Sequence, residues 1–162
     1  MLRGFISYAH ADARSCDEFR VHISSLEKNL NMKFWHDSRI HGGQNWNSEI
    51  SEAIESASVF VHLLTPTYFD SIYITETEYP AISAWRPLRR QLEVPILVRE
   101  CLWDYAFGPL QVLPHDGRSG LKAVERWRPR DHGWNAANVQ LRRAIVSFFA
   151  LGDNPVAPGK QK

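Results

Sequence analysis

The chain has 162 residues, a length that suits one domain with a single core. Apolar residues make up 44% of the chain and charged residues 23%, which excludes disorder throughout. The formal net charge is +1, from 19 basic and 18 acidic side chains, so the basic surplus of a nucleic-acid-binding protein is absent. The one local basic cluster, at Arg86, Arg89 and Arg90, is interpreted as a solvated helix face, and we expect no direct contact with nucleic acid.

Cysteine usage and hydropathy bear on the cellular compartment. Cys16 and Cys101 lie far apart without metal-ligand spacing, which favours free thiols and leaves a disulfide open. The first apolar run gives way at once to polar residues, and no run approaches the roughly 20 residues needed to cross a bilayer. We therefore expect a cytoplasmic protein without membrane contact. The seven histidines have no zinc-site spacing, so no metal is predicted.

Apolar runs that are typical of strands alternate along the chain with helical patterns. Strands are predicted at residues 2–8, 32–35, 59–64 and 94–98, with a short one near 110–113. Helical spacings of three and four run from Phe19 to Leu30, Ile50 to Ala57, Pro66 towards Ile82 and Trp134 to Phe148. The alternation predicts an α/β fold: a flavodoxin-like, doubly wound parallel sheet of roughly five strands in a single domain. The domain is assigned to residues 1–151, and residues 152–162 are interpreted as a linker-like tail.

The predicted topology also places a ligand site. In open parallel sheets, ligands bind beyond the carboxyl ends of the strands where the strand order reverses. With the order 2-1-3-4-5, this point lies between the first and third strands. The first strand ends at Ser7-Tyr8 and the third at Thr65-Pro66, and the helical segment that follows the third carries Glu76 and Glu78 near its middle. Two residues apart on a helix, these carboxylates point in different directions, so at most one faces the crevice.

Several flavodoxin-like functions are excluded by the residues at this edge. A phosphoacceptor receiver needs adjacent acidic residues at the end of the first strand and a lysine late in the sheet, but the first strand ends in Ser-Tyr and residues 94–99 contain no lysine. The phosphate loop of a flavodoxin and the GxGxxG dinucleotide fingerprint are also absent. A nucleoside-cleaving transferase with a carboxylate nucleophile stays open.

A series of motifs then follows in a specific order. The segments are GFISYAHAD at 4–12, FWHDSRIHGG at 34–43, a Ser71-x-Tyr73 element that leads to Glu78, and VPILVRECLW at 94–103 with LPHDG at 113–117. Together they resemble the TIR (Toll/interleukin receptor) domain of the bacterial NAD-cleaving type, over about residues 1–150. Each motif alone is weak, but their order and spacing are specific.

The resemblance implies an enzyme and its setting. It implies an NAD⁺ glycohydrolase or cyclase that splits the nicotinamide–ribose bond, with NAD⁺ as substrate and no further cofactor. It implies an effector of bacterial anti-phage immunity that assembles with other TIR domains, as a homo-oligomer or filament, under a fused or separate sensor domain. Other members are non-catalytic scaffolds for TIR–TIR assembly in signalling, and this stays the alternative.

The resemblance also implies site residues. The Ser71-x-Tyr73 register places the catalytic glutamate at Glu78, and Ile74 stands where several active relatives carry tryptophan. The substrate-binding candidates are Ser7, Tyr8, Ala9, Asp37, Arg39, Gly43, Trp46 and Tyr73. Nicotinamide is cationic while bound and leaves neutral, so no general acid is required and one carboxylate is enough to stabilise the oxocarbenium-like sugar.

Overall fold

A parallel four-stranded sheet forms the centre of the protein. The structure is a computed structural model, and it describes residues 1–36, 46–71 and 74–150. The strands are β1 (Leu2–Ser7), β2 (Met32–Trp35), β3 (Val59–Leu64) and β4 (Leu92–Leu97), in the order β2-β1-β3-β4. The predicted α/β parallel sheet is therefore confirmed. Where a fifth strand was predicted, Leu113 makes a single parallel bridge to Ile96, beyond β4.

Helices cover both faces of this sheet. They are α1 (Ala13–Asn29), α2 (Trp46–Ser56), α3 (Pro66–Asp70), α4 (Tyr79–Ala84), α5 (Asp104–Phe107) and α6 (Arg130–Phe149). A short antiparallel hairpin, β5 (His115–Asp116) with β6 (Gly120–Leu121), lies before α6 and was not predicted. None of the described helices combines the length and apolar character that crossing a bilayer requires.

Side chains of successive residues in the central strands pack on opposite faces of the sheet. Ile6 and Val61 pack with α1 and α6 on one face, whereas Phe5 and Phe60 pack with α2 and α4 on the other. A strand that is covered on both faces has no solvent-facing side, which is why β3 reads as a nearly continuous apolar run. The single polar residue in β3 is His62, which is fully buried.

The segment after β3, predicted as one helix, is broken into three pieces. Thr65 caps α3 by accepting a hydrogen bond at Oγ1 from the Tyr68 backbone N–H, and α3 ends at the extended backbone of Ser71. A π-helical turn, Ile74–Glu78, then leads directly into α4. Pro80 lies in the first turn of α4 and has no N–H to donate to the preceding turn, so a regular α-helical ladder cannot run through this point.

Candidate active site

A buried carboxylate lies beside the end of β1. Glu78, the last residue of the π-helical turn, is 7% exposed, whereas Glu76 is exposed. The hydroxyl of Ser7, the last residue of β1, donates a short hydrogen bond to Oε1 of Glu78. Of the two carboxylates on this segment, Glu78 is thus the one that turns towards the edge of the sheet.

Glu78 faces a small cavity with largely apolar walls. The cavity is lined by Phe5, Ile6, Tyr8, His10, Trp35, Ser71, Ile74 and Glu78. Trp35 stacks on Phe5, with ring centroids 5.1 Å apart and an interplanar angle of 16°. These two residues are register partners on neighbouring strands, so the topology itself builds the aromatic wall. The cavity therefore combines a flat aromatic surface with one carboxylate.

The structure brings together part of the predicted site. Ser7, Tyr8 and Glu78 meet at the cavity. Ala9 is buried and packs instead in a neighbouring apolar cluster with Leu64 and Tyr68. The remaining candidates, Asp37, Arg39, Gly43 and Tyr73 and the side chain of Trp46, lie outside the described residues.

Six of the residues that line the cavity were not among the predicted binding residues: Phe5, Ile6, His10, Trp35, Ser71 and Ile74. Phe5 and Trp35 lie on adjacent strands, and Ile74 stands one helical turn before Glu78. The predicted strand order already placed the ends of β1 and β2 at one edge, so Trp35 could have been found from it. Ile74 is 2% exposed, which places the position that differs from the tryptophan of active relatives in the cavity wall.

A chain of buried polar side chains leads away from Glu78 into the sheet. The Tyr68 hydroxyl lies 2.9 Å from Ser7 Oγ and also 2.9 Å from His62 Nδ1. His62 Nε2 lies 3.2 Å from Oε2 of Glu93, a buried residue of β4. Sequence reasoning missed this chain. Its one signal was the presence of a histidine and a glutamate in two otherwise apolar strands.

The far end of this chain is an ion pair between the buried Glu93 and the partly exposed Arg86. Arg86 donates from Nε to Oε1 of Glu93 and from Nη2 to Oε2, the latter at 2.7 Å, and also contacts the Tyr79 hydroxyl at 3.1 Å. Burial by itself raises the pKa of Glu93, but the hydrogen bonds from Arg86 and His62 outweigh it and lower that pKa to about 2. Glu93 and Arg86 are therefore both charged at neutral pH.

Tyr68, in the middle of the chain, keeps its proton. Burial, and then the nearby charge of Glu78, raises the pKa of the Tyr68 hydroxyl well above its ordinary value of 10. The phenol is thus neutral at neutral pH, and it has one proton to donate.

The arginine cluster is structural rather than a solvated face. Arg86 pairs with Glu93, Arg89 donates to the carbonyls that end α2, and Arg90 donates to the carbonyl of Phe148 in α6. Arg89 also covers the ring of Trp85, with its guanidinium carbon 4.9 Å from the ring centroid. Each guanidinium ties the segment after α4 to another element, and those of Arg89 and Arg90 do so through backbone carbonyls at helix ends, which need donors.

Comparison with known proteins identifies the family. A family model described as the TIR domain matches residues 5–132. The chain belongs to the TIR domain family. This TIR domain is 27% identical over 154 residues to "Uncharacterized protein y4lF" of Sinorhizobium fredii (strain NBRC 101917 / NGR234). The match covers 94% of the chain and 46% of that protein, so the chain spans about half the length of the curated relative.

Among solved structures, the domain is similar to the TIR domains of the activated Roq1 resistosome that directly recognizes the pathogen effector XopQ. The two chains are 14% identical, the alignment covers 99% of this chain and 90% of the other, and the TM-score is 0.48. The TIR family includes both NAD-cleaving members and scaffold members. The choice between these two activities therefore depends on the residues at the site.

Proposed function

We propose that this TIR domain is an NAD⁺ nucleosidase, an NAD⁺ glycohydrolase or ADP-ribose cyclase, in which Glu78 is the catalytic carboxylate. The observation that supports this is the burial of Glu78 at the end of β1, where Ser7 holds it beside an apolar, aromatic-walled cavity. An acidic side chain is buried at a cost and is seldom found so unless something holds it there. A scaffold surface does not need such a group.

The chemistry asks little more of the protein than this carboxylate. Cleavage of the bond from ribose C1′ to the pyridinium nitrogen sends the bond electrons to nicotinamide, which leaves neutral, and positive charge develops on the sugar. In a cavity with apolar walls, the negative charge of Glu78 stabilises that cation more strongly than the same charge would in water. Water or an adenine nitrogen then attacks C1′ and gives ADP-ribose or a cyclic product.

The cavity walls suggest how the substrate lies. The stacked Trp35 and Phe5 offer a flat surface for a planar ring, and Tyr8 and His10 supply polar groups at the same cavity. In this proposal, the candidates from the 37–46 segment complete the pocket: Arg39 pairs with the pyrophosphate, and Gly43 lets the backbone approach it. Ala9, Asp37, Trp46 and Tyr73 are proposed as further substrate contacts.

The wider role follows from the family and is part of the proposal. The domain acts as the effector of bacterial anti-phage immunity in the cytoplasm, and it is switched on by association with other TIR domains under a fused or separate sensor. NAD⁺ is its substrate, and no additional cofactor is required.

The deciding experiment is release of nicotinamide from NAD⁺ by the purified chain, assayed both free and clustered through a fused oligomeriser. Glu78→Gln is isosteric and removes the charge, so we expect the rate to fall at least about a hundredfold. Glu76→Gln is the matched control, because it makes the same change at an exposed position two residues away, and it should retain full activity.

The other outcomes separate the alternatives. No release in either format by a folded wild-type protein would favour the assembly scaffold. Equal activity of wild type and Glu78→Gln would remove Glu78 from the mechanism, and cleavage of deoxynucleosides in place of NAD⁺ would indicate the transferase.

A further inference from the structure

We propose that Ser7, Tyr68 and His62 form a hydrogen-bond relay that couples the protonation of Glu78 to that of His62. The relay runs from Glu78 Oε1 through the Ser7 and Tyr68 hydroxyls to His62 Nδ1, and from His62 Nε2 to Glu93. The importance of the relay for catalysis rests on the proposed role of Glu78. Its existence rests only on these four contacts.

The protons available to the four contacts can be counted. A serine hydroxyl, a phenol and a neutral imidazole each contribute one proton, which makes three protons for four contacts. Glu93 is ionised and only accepts, so His62 must donate to it from Nε2. The Ser7 proton goes to ionised Glu78. The single Tyr68 proton then serves either Ser7 or His62, and one buried contact has no proton.

One additional proton satisfies all four contacts, and it has two possible positions. If His62 is an imidazolium, it donates from Nδ1 to Tyr68, Tyr68 donates to Ser7, and Ser7 donates to ionised Glu78. If Glu78 holds the proton, the three bonds between Glu78 and His62 reverse: Glu78 donates to Ser7, Ser7 to Tyr68, and Tyr68 to neutral His62, while His62 still donates from Nε2 to Glu93. The two states contain the same protons and differ by one proton shift along each of these three bonds. An unsatisfied buried polar contact costs about 1–3 kcal/mol, which favours these two states over the one with a proton missing.

Among the described residues, charged and titratable groups lie at both ends of the relay. His62 faces Glu93 from β4, Tyr68 from α3, Tyr79 from α4 and the apolar ring of Phe107 from α5. Arg86 neutralises Glu93 from the far side. At the other end, Ser7 from β1 donates to Glu78, and Tyr8 and the titratable His10 line the same cavity.

Charge balance therefore couples the protonation state of His62 to that of Glu78. Because Arg86 and Glu93 cancel, the buried chain is neutral overall when His62 and Glu78 are both charged or both neutral. Neutral arrangements are favoured in a dry interior, so the two ends titrate as a coupled pair. In the first state, the Ser7 proton is directed at Glu78, which keeps that carboxylate ionised and oriented for a developing sugar cation. Ser7, Tyr68 and His62 are thus positioning residues for Glu78.

The test uses ¹⁵N NMR of the His62 ring across a pH titration, with the signal assigned among the seven histidines by its loss in His62→Gln. Glu78→Gln removes the negative end, and its amide can donate to Ser7, which completes the chain with a neutral imidazole. At matched pH, we expect the His62 nitrogens to move from the imidazolium pattern towards the neutral, Nε2-protonated tautomer. The proposed role of Glu78 as an ionised carboxylate requires the state in which His62 is the imidazolium, so no change in the His62 ring would overturn the proposal.

Tyr68→Phe separates the relay from simple attraction through space. It removes one hydroxyl and keeps the ring, so the chain is cut while the distance between Glu78 and His62 stays the same. The effect of Glu78→Gln on His62 should then fall to the smaller part that attraction between the two charges supplies by itself. Persistence of the full effect in the Tyr68→Phe background would show that the coupling is Coulombic and that no relay operates.

Two further variants keep the test decisive. Tyr79→Phe removes a hydroxyl from the same aromatic cluster without cutting the chain, so the effect of Glu78→Gln should survive in it. Ser7→Ala cuts the chain at the neighbouring link, and it replaces Tyr68→Phe if that variant does not fold.

These NMR outcomes do not depend on turnover, so they distinguish failure of the relay from failure of the proposed function. Where NAD⁺ is cleaved, the pH profile of kcat/KM supplies a second measurement. Tyr68→Phe should change the shape of that profile, whereas a merely structural loss would scale the whole profile down. A profile of unchanged shape would contradict control of Glu78 by the relay.

Discussion

At Glu93, burial and the neighbouring hydrogen-bond donors shift the pKa of one carboxyl group in opposite directions. This carboxylate is 8% exposed in a strand of the sheet, yet the hydrogen bonds from Arg86 and His62 keep it ionised. Removing either partner alone would leave a charge without full compensation inside the protein. Arg86 is itself 42% exposed, so solvent screens part of this pair and reduces its contribution.

The loss of folding stability at acidic pH should depend on the protonation of Glu93. Its pKa is about 2 in the folded state against an ordinary 4.5, so the stabilisation is complete above about pH 4.5 and is lost as the pH falls towards 2. The difference corresponds to about 3 kcal/mol as an order of magnitude. We expect Glu93→Gln to be less stable than wild type at neutral pH, and the gap in the free energy of unfolding to narrow between pH 5 and 3. Urea titrations at several pH values measure both.

Glu76→Gln is the control for this prediction, because it removes an exposed carboxylate and should follow the wild-type curve. A gap between Glu93→Gln and wild type that stays constant down to pH 3 would contradict the assignment of acid sensitivity to Glu93.

At the scale of elements, β1 must fit closely against β2 so that Ser7 and Trp35 reach the same edge. Gly4 allows this fit, because a Cβ at this position would overlap the ring of Phe34 on β2. Phe34 is itself buried, so it has little room to move aside. The glycine is therefore required by packing between two strands and not by backbone conformation.

Gly4→Ala should lower the free energy of unfolding by about 1–3 kcal/mol, the usual cost of overpacking a core. Gly117→Ala is the matched control, since a Cβ there meets no atom within 4 Å, and its effect should stay within about 0.5 kcal/mol. Chemical denaturation of both variants measures the difference. Equal stability of the two variants would show that β1 and β2 can move apart with little loss in the free energy of unfolding.

In the segment from α3 to α4, the apolar spacing did not predict where the helix breaks or which way its side chains point. Apolar residues from Tyr68 towards Ile82 predicted one helical segment that begins at Pro66. The break at Ser71 and the π-helical turn change which way each side chain points. The turn brings Glu78 inward against Ser7, an orientation that an α-helical count from Pro66 does not fix.

At the scale of the whole molecule, α1 and α6 close one side of the sheet over a core that contains Cys16. This thiol is 1% exposed and packs with Phe19 and Trp134. Burial raises its pKa to about 12, so almost no thiolate exists at ordinary pH. Cys101 is partly exposed, and burial raises its pKa to about 11.

Alkylation of Cys16 should therefore report opening of the whole core. In Cys101→Ser, we expect labelling at pH 8 to be slow in the native protein and to rise with urea in step with global unfolding. In Cys16→Ser, the half-exposed Cys101 should react faster without denaturant. Mass spectrometry follows both reactions, and rapid native labelling of Cys16 would mean that α1 opens locally.

The sequence by itself determined the layers, the strand order and the segment that carries the candidate carboxylate. These follow from apolar periodicity and from the rule that ligands bind at the reversal of strand order, both of which are local or topological. The same reasoning narrowed the carboxylate to one of Glu76 and Glu78, and the family motifs selected Glu78.

Only the tertiary structure decided how Glu78 is held. Its partner Ser7 is 71 residues away in the sequence, and Tyr68 is 61 residues from Ser7, so no local pattern links the three. The π-helical turn that orients Glu78, and the meeting of His62 with Glu93 across two strands, likewise depend on packing between elements. Periodicity records which side chains are buried, but side-chain hydrogen bonds form between whichever groups the assembled core brings within reach.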